Sequence, residues 1–220
     1  FGQRRAAESA FRRRRGDERR GARALARRIE QRLRKHIEVH GGDDDFVVSS
    51  EDCRELRHEA YLYYQRYLSE FVLEEYEAVE RDTTRNLRVI EFCVRYGASP
   101  RDREVLMPQR PYVLMMNARA RTLGNLARGK AAAALRIVEQ AIDELRRLST
   151  GGDDEPCCVS ELGTLQELRQ EVLEKLPDNS PARLRSLLER ALAEEDFERA
   201  AELRDRLARY RGRGAPSGPA

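Results

Sequence analysis

The chain has 220 residues, of which 37% are charged, 40% hydrophobic and only 6% aromatic, with no Trp. That is enough for one ordinary domain and a small second module, and the composition is that of a helix-rich, water-exposed protein. No run of about 18 apolar residues occurs, which excludes a membrane-spanning helix, and no apolar signal core follows Phe1. The expectation is a cytoplasmic protein whose true start precedes this Phe. The net charge of +3 conceals a segregation: residues 1–36 hold 14 Lys/Arg against 4 Asp/Glu, and the remainder 28 against 35. A basic arm on an acidic body can bind nucleic acid by counterion release. The bland reading stands beside it, because 39 Arg against 3 Lys points to GC-rich coding. Beyond Phe11 no aromatic is interleaved with Arg12–Arg15, so base stacking has little support.

In chain order, residues 1–21 lack apolar periodicity and read as a basic disordered arm. Leu25, Ile29, Leu33 and Ile37 then recur at one helical turn, and Gly41-Gly42 ends that helix before the acidic loop Asp43–Asp45. Ser49-Ser50-Glu51-Asp52 reads as a hydroxyl cap followed by first-turn carboxylates. Cys53, Leu56, Ala60, Tyr64, Leu68 and Phe71 continue the helix. The chain turns near Glu74, and Tyr76, Val79, Thr83, Leu87, Ile90 and Val94 line a second helix. Gly97 ends it, and Ser99-Pro100 is expected to prevent its resumption.

A second hairpin follows. Pro111 opens its first helix, Val113, Met116, Ala120 and Leu123 form the stripe, and Gly129 closes it. Ala131–Ala134 begins the next helix, continued by Val138, Ala141 and Leu145. The order Gly129, Ala134, Val138, Ala141 matches the spacing of the second half of a tetratricopeptide repeat, where small residues let helices approach closely. The expected fold is all-α, with tetratricopeptide-like hairpins over residues 22–148. Residues 149–181 read as a linker holding one helix (Leu162 to Leu176), opened by Ser149–Pro156 and closed by Pro177–Pro181. Residues 182–210 form a last hairpin, and 211–220 a flexible tail.

In that last hairpin Leu184, Leu187/Leu188 and Ala191/Leu192 form one stripe. Glu194-Glu195-Asp196 turns the chain, and Asp196 is placed to cap the next helix. Phe197, Ala200, Leu203, Leu207 and Tyr210 form the facing stripe, with Phe197 expected to plug the turn end and Ala200-Ala201 to permit close approach. Two helices of about a dozen residues are marginal alone, so such a unit gains stability by pairing with a partner's helices or another copy. Leu188, Ala191, Asp196, Phe197, Ala200, Ala201, Leu203, Arg204 and Asp205 together resemble the UvrB/UvrC motif, with its acidic turn, Phe, Ala-Ala and Leu-Arg-Asp. The resemblance implies protein–protein contact through this hairpin, since the family's hairpin links the two excision-repair proteins and recurs in Clp chaperone subunits and their adaptors. The body more loosely resembles uncharacterised bacterial proteins that end in the same motif, in D-C-R-E-L-R-x-E (52–59), L-Y-Y-Q-R-Y-L (62–68) and R-P-Y-V-L-M-M-N-A-R-A-R (110–121).

Chemistry is sparsely signalled. No G-x-x-x-x-G-K-[ST] phosphate loop and no C-x-x-C pair occurs, and His36, His40 and His58 lack metal-ligand spacing. Cys53 and Cys93 fall on apolar faces and behave as small hydrophobes. Glu74, Glu75, Glu77, Glu80 and Asp82 are interspersed with Arg81 and Arg85, which favours a solvated, charge-balanced face over acid–base work. Tyr61, Tyr63, Tyr64, Tyr67 and Tyr76 read as helix packing, with a peptide groove as the alternative. Arg110, Asn117 and Arg121, at spacings of seven and four, either present one polar face to a partner or form internal ion pairs. The functional expectation is a non-enzymatic adaptor without cofactor or metal, docking a protein through the hairpin built from Leu184, Leu188, Ala191, Asp196, Phe197, Ala200, Ala201, Leu203, Arg204, Asp205 and Leu207. The alternative is a nucleic-acid-binding accessory protein using the arm.

Overall fold

The computed structural model describes residues 25, 26, 28–149 and 158–213, so the arm, most of the Ser149–Pro156 stretch and residues 214–220 lie outside it. Of the described residues 83% are helical, and among them no β-strand forms. The elements are α1 (28–40), α2 (Ser50–Val72), α3 (Tyr76–Tyr96), a short α4 (Pro100–Glu104), a 3-10 turn (Met107–Gln109), α5 (Arg110–Ala127), α6 (Ala131–Ser149), α7 (Val159–Glu174), α8 (Pro181–Ala193) and α9 (Phe197–Arg213). The chain divides into two compact units within α5, residues 1–117 and 118–220.

Local chemistry sets the helix ends. Ser49 caps α2, its hydroxyl accepting from the Asp52 amide at 3.1 Å. Ser180 caps α8 by accepting from the Arg183 amide at 3.3 Å, and Pro181 occupies the first turn, where a missing amide costs nothing. Ser99-Pro100 behaves differently from its expected role as a stop. Ser99 caps a new one-turn helix, accepting from the Asp102 amide at 3.2 Å, so the chain resumes as α4 after the break at Gly97. A Cβ at Gly97 would lie 2.6 Å from the Cys93 carbonyl oxygen, which is why this position takes glycine.

Three helix–helix turns share one geometry. At Glu74, Gly129 and Glu195 the backbone enters the left-handed region, with φ of 57°, 71° and 58°. Each of these amides donates to the carbonyl three residues back, and the next amide reaches five back: Glu75 to Glu70 at 2.9 Å, Lys130 to Asn125 at 2.9 Å, Asp196 to Ala191 at 2.8 Å. That pair of bonds is the Schellman closure of a helix, which satisfies carbonyls the helix leaves open.

The first unit has its core between α1, α2 and α3. Ile29, Leu56, Val89, Ile90 and the thiols of Cys53 and Cys93 are each 3% exposed or less. Residues 46–48, which follow the acidic loop, add Phe46 and Val48 to this core. Val48 makes a single parallel bridge to Gly97, its amide donating to the Tyr96 carbonyl at 2.7 Å and its carbonyl accepting from Ala98 at 3.0 Å. In the second unit Ala134, Val138, Ala141 and Leu145 of α6 are buried, as are Leu165, Leu168 and Val172 of α7. Arg169 Nε of α7 donates to Glu139 of α6 at 3.0 Å.

Candidate docking site

The hairpin of α8 and α9 closes on a small core of Leu184, Ala191, Ala200 and Leu203, with Leu187, Leu188 and Leu207 packed at its edge. The periodicity fixes this: four-residue steps on α8 meet three- and four-residue steps on α9, and the two alanines let the backbones approach. Asp196 caps α9 as its position suggests, its carboxylate accepting from the Arg199 amide at 3.0 Å. The base of the hairpin is pinned to the end of α7, because Arg183 Nη1 donates to the carbonyls of Glu174 at 2.7 Å and Leu176 at 2.9 Å. α9 runs to Arg213, three residues into the stretch read as a tail.

Phe197 departs from its expected place. It is 69% exposed rather than plugging the turn, and Leu192 across the turn is 51% exposed. The reason lies in the turn itself. Beside the Schellman closure the buried positions nearest the turn are taken by Ala191 and Ala200, and the ring of Phe197 stays outside that core. Ala201 is also exposed, so of the Ala-Ala pair only Ala200 serves the seam. Arg204 and Asp205 are exposed neighbours joined by an ion pair at 3.2 Å, a contact that contributes little in water.

The polar side chains read as a presented face are distributed otherwise. Asn117 is 6% exposed and points inward. Its amide nitrogen donates to the hydroxyls of Thr83 and Thr84 at 2.9 Å each and to the Glu80 carbonyl at 3.2 Å. An amide so thoroughly matched is held by the interior, not offered to a partner. Arg110 is largely covered and lies 4.0 Å from Glu91, and Arg121 is half-buried. Asn117 is therefore no part of a presented face.

The seam between α2 and α3 carries charge that the sequence does not advertise. Asp82, placed in the carboxylate-rich run read as solvated, is 1% exposed and is clamped by the Arg66 guanidinium through both oxygens. Glu70 stands beside Arg66 at 3.5 Å, and burial together with the nearby Asp82 raises its pKa. Glu59, 3% exposed, faces Arg85, yet burial outweighs that partner and pushes its carboxyl up to about 7. The guanidiniums of Arg66 and Arg85 both lie against the Tyr63 ring, at 4.3 and 3.9 Å from its centroid. Tyr63 and Tyr67 are buried as helix packing, whereas Tyr61 is exposed. Aligned on Glu74 and Glu195, Arg66, Glu70 and Asp82 occupy the places that Leu187, Ala191 and Leu203 fill in the last hairpin. The two hairpins share a turn and differ in their seams.

The last hairpin thus combines an apolar seam, a capped acidic turn and an aromatic left in water. Residues 182–213 match the UvrB/uvrC motif, so α8 and α9 carry that motif. No curated protein and no solved structure matches the chain. Among the described residues no helix is long and apolar enough to cross a membrane.

Proposed function

We propose that this chain is a non-enzymatic cytoplasmic adaptor that docks a partner protein through the tip of the α8–α9 hairpin. The observation that supports this reading is the exposure of Phe197, 69%, inside a UvrB/uvrC motif. A hairpin whose own core is complete without its largest side chain retains that side chain for another surface, since aromatic anchors dominate interface energetics. Residues 22–148 act as the helical body. The motif's occurrence in excision-repair proteins and in Clp-type chaperones and their adaptors suggests a partner of one of those kinds.

The test is capture of partners from the native host by the full chain and by its Phe197→Ala form. The unaltered chain retains a defined protein and the variant loses it, with the melting temperature unchanged within experimental error. Equal capture by the two forms overturns the reading.

A further inference from the structure

Between α1 and α3 lies a hollow of about 390 Å³, within the range of roughly 300–1,000 Å³ common for small-molecule sites. Its floor is apolar, from Ile29 and Leu33 of α1 and Val89 and Phe92 of α3. Each helix turns one face to it. Ile29, Glu30 and Leu33 fall within an arc of about 100° on α1, and Arg85, Arg88, Val89 and Phe92 within about 100° on α3. A second, polar hollow of about 650 Å³ shares Ala26, Glu30, Arg85 and Arg88 with the first, so these residues stand where the two meet. Most of the charge around the apolar hollow is engaged elsewhere. Arg85 turns to Glu59, Arg95 pairs with Asp43 at 2.6 Å, and Glu91 lies 4.0 Å from Arg110. Glu30 and Arg88 differ: neither carries an ion pair or a side-chain hydrogen bond among the described residues, and they do not meet each other.

We propose that this hollow binds a free α-amino acid with an apolar side chain. The side chain packs on Leu33 and Phe92, the carboxylate meets the Arg88 guanidinium, and the ammonium meets the Glu30 carboxylate. Two opposite charges that border one hollow without pairing suit a ligand that carries both signs, and each contact is a charge-assisted hydrogen bond. In an α-amino acid the two charges and the apolar group diverge from one carbon, matching a floor, a cation and an anion that border the same space. A peptide offers its first residue with an ammonium and no carboxylate, or its last with the reverse, so only the free amino acid satisfies both sides. The site lies within residues 1–117 and does not depend on the docking reading of α8 and α9.

Four ligands test this on the full chain: L-phenylalanine, L-phenylalaninamide, N-acetyl-L-phenylalanine and glycine. Binding is followed by nuclear magnetic resonance at about pH 6, below the α-amino range, reading the amides of α1 and α3. Phenylalanine shifts these amides saturably, and glycine, lacking the apolar group, does not. Phenylalaninamide and N-acetylphenylalanine, each short of one charge, bind about five-fold more weakly. Arg88→Gln weakens phenylalanine by the same factor and leaves phenylalaninamide unchanged. Glu30→Gln weakens phenylalanine likewise and leaves N-acetylphenylalanine unchanged. Neither variant lowers the melting temperature, because neither side chain has a partner to lose. The proposal is overturned if phenylalanine causes no saturable shift, or if both variants bind it as tightly as the unaltered chain, leaving Glu30 and Arg88 as two solvated side chains. Phenylalaninamide that binds as tightly as phenylalanine also overturns it, and points to the first residue of a peptide instead.

Discussion

A phenylalanine that keeps 69% of its surface in water forgoes most of the roughly 2 kcal/mol that its burial would contribute. Phe197 therefore contributes little to the hairpin that presents it. Phe197→Ala is expected to change the unfolding free energy by less than about 1 kcal/mol, as read by thermal or urea denaturation. The loss in partner affinity should be about 2 kcal/mol or more, roughly thirty-fold. A drop in stability of several kcal/mol would place the ring inside the fold instead. Asn117 is the converse case, a polar residue whose donors are all consumed inside, by Thr83, Thr84 and Glu80. Neither position could be assigned from spacing alone. Periodicity assigns a residue to a helix face, but whether that face is covered depends on which backbones approach closely, and two alanines decide that at the hairpin tip.

At the scale of the helical elements, the turns explain why so much of the fold was legible. Capping residues and left-handed turn residues act within five residues of chain, so Ser49, Gly129 and Asp196 mark their boundaries in the sequence. The left-handed residue is a glutamate in two of three turns, Glu74 and Glu195, where glycine would relieve the strain on Cβ. Glu195→Gly should accordingly raise hairpin stability by about 0.5–1 kcal/mol, measured as slower amide exchange in α8 and α9. Faster exchange would show that the glutamate side chain supports the turn. Leu203→Ala should act oppositely. Leu203 is 4% exposed in a core of only four buried residues, and losing such a side chain costs about 2–4 kcal/mol. Amides of α8 and α9 should then exchange almost freely while those of α2 and α3 keep their protection. The α2–α3 seam was harder to read because its buried charges follow the same spacing as surface charges. Asp82 and Arg66 look like any solvated pair until the backbone places them across one seam, and this is why Asp82 departs from the solvated face on which Glu74, Glu75 and Glu77 stand.

For the whole molecule, these buried charges set how stability varies with pH. Asp102 accepts from the hydroxyls of Ser50 and Ser99 and from Arg57, and these donors hold its carboxyl down at about 2. Its folded pKa lies below the unfolded value of 3.8. Its contribution is therefore present above that value and is lost as pH falls toward 2. Asp43, lowered first by the Tyr96 hydroxyl, and Asp52, lowered by Arg32 and Ser49 against its burial, act in the same sense. Glu59 works the other way. Burial raises its folded pKa to about 7 from 4.5, so the stability it confers is complete below 4.5 and is lost as pH rises through 7. The order of that loss is about 3 kcal/mol, and Glu70, also raised, adds to it. The two limbs meet between about pH 4 and 5. The chain is accordingly expected to be most stable there, below neutrality, with a decline toward pH 8 that belongs to residues 1–117 and not to the docking hairpin. Urea denaturation at a series of pH values, followed by amide exchange to separate the units, checks this. Glu59→Gln keeps the shape and removes the ionisation, so it should flatten the decline between pH 5 and 8 and leave the acid limb in place. A Glu59→Gln protein that loses stability across that range as steeply as the unaltered chain would show that Arg85 holds Glu59 ionised after all.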